Sequence, residues 1–173
     1  HSDLRRQRQM CIRDSSNWAI STMDNNGDVG NFGSMVVDAN DTLHVAYYAA
    51  SGTVLKYATL TDGSTTWSRE SVESTNDVGK YTSIALDSNG NPHITYFDDT
   101  NDDLRYTHKM GSSWVFTTLD SVGVSGKGTS LAIDSNDHLH VAYKTNNTEI
   151  AYMTNRSGSV SYTHLRAHET EAY

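Results

Sequence analysis

The sequence predicts an all-β fold, a partial β-propeller of about three four-stranded antiparallel blades. One set of landmarks returns along the chain at spacings of 49 and then 47 residues, the size expected for one blade. Short runs of alternating apolar and polar residues are separated by turns rich in Asn, Asp and Gly, and none has helical periodicity. The repeated landmarks are Trp18, Trp67 and Trp114; Asp38, Asp87 and Asp134; His44, His93 and His140; and Tyr47, Tyr96 and Tyr143.

The middle repeat shows the four strands most clearly. The first strand is predicted over residues 82–87, whose small side chains on one face suit the crowded centre of a propeller. A turn of Ser, Asn and Gly leads to the second strand, residues 93–98, which is apolar on both faces and therefore belongs inside a stack. Residues 104–109 and 114–120 form the third and fourth strands. Because one blade cannot bury its own faces, we expect neighbouring blades to cover each other.

Two segments are candidates for the fourth strand of the last repeat. Residues 17–24 have the pattern of a fourth strand and would close a ring if they joined the last blade. Residues 159–165 also have the β propensity to pair there, and Tyr162 would then take the position that Trp67 has in its own repeat. The sequence leaves both alternatives open.

The two ends of the chain differ from the repeats. Residues 1–15, which include RQRQMCIRDS, and residues 160–173, which begin VSYTHLRAHET, resemble translated sequencing adapter. Segments of that origin do not enter fold reasoning. We therefore expect residues 16–159 to be the natural insert and a fragment of a longer protein.

Charge and composition exclude several classes of partner. Residues 16–159 carry eight Lys and Arg against seventeen Asp and Glu, a net charge of −9, compared with −8 for the whole chain. An acidic surface without a basic stripe argues against nucleic acid. The only cysteine, Cys11, lies in the N-terminal tail, so we expect no disulfide and no cysteine metal site. No apolar run is long enough to span a membrane.

The stretch LDSNGNPHITYFD, followed by LRYTHK and GSSW, resembles the repeat of sialidase-like, BNR-type β-propeller proteins. The resemblance covers residues 16–159 and implies the propeller fold, but one propeller hosts lectins, hydrolases and scaffolds alike. Sialidases carry an Asp box of the form S-x-D-x-G-x-T-W, which this chain lacks, and an arginine triad. Arg69, Arg105 and Arg156 occupy three different positions of the repeat, so no catalytic residue carries over.

Aspartate and histidine recur together in every repeat and are interpreted as structural. The common offset predicts that each histidine is hydrogen-bonded within its own blade, His93 by Asp87 or Ser83. The functional alternative makes the histidines ligands in three equivalent pockets. A shared metal ion is not expected, because equivalent positions in successive blades lie too far apart for bonds of about 2 Å. The pairs are Asp38 with His44, Asp87 with His93, and Asp134 with His140.

The repeated aromatic residues have two interpretations. They form sugar-stacking platforms between blades, as in propeller lectins, or they fill the gaps between neighbouring blades. The first interpretation makes them the candidate ligand-binding residues. These candidates are Trp18, Trp67, Trp114, Tyr47, Tyr96 and Tyr143.

Asp98, Asp99, Asp102 and Asp103 form the one dense carboxylate cluster. Oxygen-rich loops can hold Ca²⁺, which makes these four the candidate metal ligands. The loop lacks the D-x-[DN]-x-[DN]-G spacing of a recognised calcium loop, and the equivalent loops AASGT and TNNTE are not acidic. A solvated turn is the favoured interpretation, and no other cofactor is expected.

These features together predict a non-catalytic propeller segment of a larger, extracellular or cell-surface protein that presents a binding surface to proteins or glycans. The alternative is a fragment of a sialidase-like glycoside hydrolase whose catalytic residues lie in missing blades. The expected partners are a protein or glycan ligand, together with either the missing blades of the parent chain or further copies of this chain.

Overall fold

The computed structural model describes residues 20–145 and 149–156 and the backbone of residues 163–164. This part of the chain contains three four-stranded antiparallel sheets and no helix, which confirms the predicted all-β class and the three repeats. Accordingly, no helix able to cross a membrane occurs among these residues. The strands are β1 (Val29–Val37), β2 (Leu43–Ala49), β3 (Val54–Leu60) and β4 (Ser68–Glu73) in the first sheet; β5 (Val78–Leu86), β6 (Pro92–Asp98), β7 (Asp103–Met110) and β8 (Ser113–Asp120) in the second; and β9 (Ser125–Ile133), β10 (Leu139–Thr145), β11 (Glu149–Thr154) and β12 (Thr163–His164) in the third.

The sheets stack as blades through their first strands. Strand β1 packs against β5, and β5 packs against β9. Leu55 of the first blade lies in one buried cluster with Ile84 of the second, and Leu104 of the second lies in another with Leu131 of the third. Two of the three buried clusters therefore lie at junctions between blades, as expected when single blades cannot bury their own faces, and the third lies in the first blade.

The first strands begin earlier than the alternation predicted. Strand β5 starts at Val78 rather than at residue 82, and its pairing with β6 shifts register twice before Ser83. Gly79 lies in this irregular segment with φ of +105°, and a Cβ on it would lie 2.8 Å from the Cα of Leu55. Gly126 has the same role in β9, with φ of +107° and 2.9 Å to the Cα of Leu104. Glycine thus lets each first strand approach the third strand of the preceding blade closely.

The fourth strand of the third blade comes from the C-terminal segment. Thr163 and His164 pair with Tyr152 and Ala151 of β11, which is the second of the two predicted alternatives. Tyr162 and the predicted N-terminal tail, residues 1–15, lie outside the described residues. Residues 20–24, from the other candidate segment, lie beside the first blade, where Asp24 accepts hydrogen bonds from Tyr47 and Lys56.

Replacing Gly79 by alanine should destabilise the fold strongly. The change places a Cβ against backbone that cannot move aside and forces a side chain into a left-handed conformation. We expect the free energy of unfolding to fall by about 2–5 kcal/mol, from about 1–2 of conformational strain and about 1–3 of overpacking. Urea denaturation followed by circular dichroism measures this change.

Gly90→Ala is the matched control for this prediction. Gly90 also has positive φ, +79°, but a Cβ there would meet no atom of the described residues within 4 Å. Replacing Gly90 should lower the free energy of unfolding only by the cost of conformational strain, about 1–2 kcal/mol. Equal losses for the two variants would show that close packing at Gly79 is not what stabilises the junction.

Candidate functional site

A buried tyrosine joins each blade to the carboxylate that ends the preceding segment. The Tyr47 hydroxyl donates to Asp24 at 2.7 Å, and the Tyr143 hydroxyl donates to Asp120 at the same distance. Tyr96 donates to Glu73 in the equivalent position. The three rings are at most 1% exposed, so they present no stacking surface to a ligand. Tyr96 and Tyr143 pack between blades, whereas Tyr47 packs within the first blade.

Cations reinforce the tyrosine–carboxylate contacts of the first and second blades. Lys56 lies 2.9 Å from Asp24, and Arg105 lies 2.9 Å from Glu73. Burial alone raises the pKa of Asp24, but hydrogen bonds from Lys56 and Tyr47 outweigh it and lower the pKa to about 2. In the third blade Ala151 stands in the place of the cation.

The repeated Asp and His residues form a short network within each blade. The Nδ1 atoms of His44, His93 and His140 lie 2.5, 2.6 and 2.6 Å from the hydroxyls of tyrosines on the third strand. Their Nε2 atoms lie 3.6, 3.6 and 3.3 Å from the carboxylates of Asp38, Asp87 and Asp134, and of these three contacts only the last is within hydrogen-bond distance. His93 is thus hydrogen-bonded within its blade by a tyrosine and not by Asp87 or Ser83. The hydroxyl partners, which sequence reasoning missed, are Tyr57, Tyr106 and Tyr152.

The same aspartates also fix the first turn of each blade. Asp87 Oδ1 accepts the backbone N–H groups of Asn89 at 2.9 Å and Asn91 at 2.7 Å. Asp38 and Asp134 make the equivalent pairs of bonds in their turns. This Asx geometry explains why an aspartate is needed at the end of each first strand.

The two described tryptophans, Trp67 and Trp114, are partly buried. Trp67 packs against the cluster that contains Val45 and Tyr47. Trp114 of the second blade meets Tyr57 of the first edge-on, with ring centroids 5.3 Å apart, and the Lys109 amine lies 5.4 Å from its centroid. Trp114 therefore fills a gap between blades, as the packing interpretation requires. Trp18 lies outside the described residues.

The acidic loop does not gather its carboxylates into a metal site. Asp98 is fully buried and accepts from the amides of Asn76 and Asn101 at 3.0 and 2.9 Å, while Asp99 pairs with Lys80 at 2.6 Å. Among the described residues, no three His, Cys, Asp or Glu side chains are arranged to hold a metal ion. Asp98 therefore organises the loop through amide groups, and Asp99 balances a lysine. Calcium binding by Asp98, Asp99, Asp102 and Asp103 stays a prediction.

A separate group of side chains, the aromatic–lysine cluster, lies where the first strands begin. Phe32 and Tyr81 occupy equivalent positions in β1 and β5, both with φ of 54°, and their ring centroids lie 4.6 Å apart. Phe32 is 42% exposed. The remaining members are Tyr48, Phe97, Lys80 and Lys127.

Each lysine of the cluster lies over an aromatic ring of the preceding blade. Lys80 lies 5.5 Å from the centroid of Tyr48, and Lys127 lies 5.1 Å from that of Phe97. Lys80 also bridges Asp77 at 2.9 Å and Asp99 at 2.6 Å. Burial by itself lowers the pKa of Lys80, but the hydrogen bonds that its amine donates to Asp99 and Asp77 outweigh burial and raise the pKa, so the amine stays protonated.

The cluster offers apolar ring faces beside fixed charged groups. Binding sites for small polar ligands combine these elements, because rings supply contact area and charged groups supply orientation. Sequence reasoning missed Phe32 and Tyr81 because they are not repeated in the third blade, where Gly128 takes their place with φ of 66°. The signal that could have found them is the pair of tripeptides Gly-Asn-Phe and Gly-Lys-Tyr, 49 residues apart.

Comparisons with known proteins show the fold. No protein-family model and no curated protein matches the chain. A fucose lectin from Kordia zhangzhouensis, solved with methyl-fucoside, is similar with a TM-score of 0.53 and 15% identity over 76% of this chain and 96% of the lectin. A triple arginine-to-alanine mutant of AofleA from Arthrobotrys oligospora gives 0.62 and 13% identity over 86% of this chain. A PL25 ulvan lyase gives 0.50 and 14% identity over 84% of it.

The share of each solved structure that this chain covers differs among the three. The chain covers nearly the whole fucose lectin, but 47% of AofleA and 42% of the ulvan lyase. At identities this low the similarity concerns the arrangement of strands.

Removing the hydroxyl of Tyr96 should weaken the junction between the first and second blades. Tyr96→Phe leaves the partly buried Glu73 carboxylate with Arg105 but without its tyrosine donor. We expect the free energy of unfolding to fall by about 1–3 kcal/mol. Tyr81→Phe is the control, because the Tyr81 hydroxyl makes no hydrogen bond to a described residue, and it should cost less than about 0.5 kcal/mol. Similar losses in urea denaturation would contradict the prediction.

Stability should also fall in mild acid because of His93. Burial lowers the pKa of this imidazole below its ordinary 6.5, although Asp87 acts in the opposite direction. The unfolded chain therefore binds the proton first, and the free energy of unfolding should decrease as the pH falls through 6.5. Urea denaturation across this range measures the decrease, and NMR titration of the ring protons gives the folded pKa. A value above 6.5 would contradict the assignment.

Proposed function

We propose that the protein is a non-catalytic glycan-binding module and that the aromatic–lysine cluster is its binding site. The observation that carries the proposal is the backbone at Phe32 and Tyr81. A bulky residue with positive φ is a rare outlier, and such outliers concentrate at functional sites. Each residue lies on an irregular segment of a first strand, and β-bulges re-aim side chains in this way.

The polar groups around the rings support a sugar as the ligand. The faces of Phe32 and Tyr81 offer stacking area, while Lys80, Asp77 and Asp99 offer hydrogen-bond donors and acceptors. A sugar presents C–H groups on one face and hydroxyls at its edge, which matches this arrangement. The solved lectin whose fold the chain shares binds methyl-fucoside, and the ulvan lyase acts on a polysaccharide; both support this choice of ligand class.

The proposal includes the setting of the module. We place it in a larger, extracellular or cell-surface protein, where glycans are accessible. The alternative is a fragment of a sialidase-like glycoside hydrolase whose catalytic residues lie in missing blades. It predicts turnover of fluorogenic glycosides by the parent protein that contains those blades. Glycan binding by the purified chain, with no turnover by the parent protein, supports the module.

Substituting the rings of Phe32 and Tyr81 should weaken glycan binding. We expect the full chain to bind on a glycan array that includes methyl-fucoside and ulvan oligosaccharides. Phe32→Ala and Tyr81→Ala should each raise the dissociation constant about tenfold, the change that corresponds to about 1.4 kcal/mol of lost contact. Isothermal titration calorimetry on the best array ligand measures this effect.

Phe116→Ala is the matched control for these substitutions. Phe116 lies on the outer strand β8 and is 40% exposed, against 42% for Phe32. Its replacement should leave the dissociation constant unchanged. No binding by the full chain, or an equal loss in the Phe116 variant, would overturn the proposal.

A further inference from the structure

The two junctions between blades are built from the same contacts. A glycine of the following blade covers a leucine of the preceding one, as Gly79 covers Leu55. The Ser34 hydroxyl accepts the Ile84 N–H at 3.3 Å in the first junction, and the equivalent serine accepts the Leu131 N–H at 2.9 Å in the second. Each blade therefore has a leading face that supplies the glycine and the N–H group, and a trailing face that supplies the serine and the leucine.

The leading face of the first blade is uncovered in the described part of the chain. We define it by Gly30, Met35 and Val37, which correspond to Gly79, Ile84 and Leu86 of the second blade. No described atom lies within 4 Å of a Cβ built on Gly30. Met35 is 61% exposed, whereas Ile84 is 6% exposed. The face therefore resembles one side of a junction between blades, and no described residue covers it.

The trailing face of the third blade is uncovered in the same way. We define it by Ser130, Ala142 and Ile150, which correspond to Ser83, Thr95 and Leu104 of the second blade. Ile150 is 62% exposed, whereas Leu104 is fully buried. A cavity of about 600 Å³ lies over this face, lined by these three residues and Tyr81 among others. Gly126 of the following blade covers Leu104 at the equivalent place, and no described blade follows the third.

We propose that a second copy of this chain covers both faces, so that two three-bladed chains close one ring head to tail. The trailing face of one copy supplies the partners that the leading face of the other copy needs. Ile150 can lie under Gly30 of the second copy, and the Ser130 hydroxyl can accept the Met35 N–H of that copy. This heterologous contact repeats the internal junctions. Two copies give six blades, within the usual range of four to eight, whereas three copies exceed it.

The first test is the mass of the full 173-residue chain in solution. Sedimentation equilibrium and native mass spectrometry should give twice the 19.1 kDa of one chain, with no higher closed species. A monomer at all concentrations overturns the proposal, whether residues 1–19 cover the face, further blades of a parent protein do so, or nothing does. A trimer or an open series of larger species overturns the two-chain ring.

Substitutions on each face should break the dimer. Met35→Asp and Ile150→Asp each put a charge into an apolar junction, and we expect each to raise the dimer dissociation constant at least about a hundredfold. Met110→Asp is the matched control, since Met110 is 62% exposed at the end of β7. It should leave the dimer intact. A dimer that tolerates both face substitutions, or fails equally with Met110→Asp, overturns the proposal.

Mixing the two variants distinguishes a head-to-tail contact from unfolding. Circular dichroism first establishes that both fold. A Met35→Asp chain keeps an intact trailing face and an Ile150→Asp chain an intact leading face, so the mixture can form one unaltered junction. We expect the mixture to form a heterodimer at a concentration at which each variant alone stays monomeric. Two folded variants that stay monomeric when mixed overturn the head-to-tail arrangement.

Discussion

The closest approach of two blades, a glycine backbone lying on a leucine of the preceding blade, is the constraint on which the structure depends. Gly79 and Gly126 leave no room for a Cβ above Leu55 and Leu104. With the strands this near, Thr82 bonds across to the Ala46 carbonyl, and both leucines become fully buried. Junctions of this kind make each blade depend on its neighbour, as in other repeat proteins.

A hydrogen bond donated by a buried tyrosine fixes each blade to the segment before it, further out than the glycine. A buried hydroxyl without a partner would be costly, and the carboxylates of Asp24, Glu73 and Asp120 remove that cost while holding the preceding segment in place. Glycine therefore fixes the junction near the centre, and the tyrosine–carboxylate pair fixes it further out.

The sequence predicted the class, the period and most strand positions because these follow from alternation and spacing, which are local. It missed the early start of β5, because the register shift near Gly79 breaks the alternation on which the prediction relied. It also gave Tyr47, Tyr96 and Tyr143 a candidate role in ligand binding, whereas they are buried. Repetition identifies residues that every blade needs, and residues needed for packing satisfy that criterion as well as residues needed for binding.

The third repeat shows which part of the shared motif packing requires. Gly126 retains the close approach to Leu104, yet Gly128 stands where Phe32 and Tyr81 carry their rings. The left-handed backbone there is thus compatible with glycine, and the junction does not require an aromatic side chain. Because Phe32 and Tyr81 keep strained backbone that glycine would adopt without strain, packing of the strands does not require their rings, and this is the basis on which we propose that they bind a ligand.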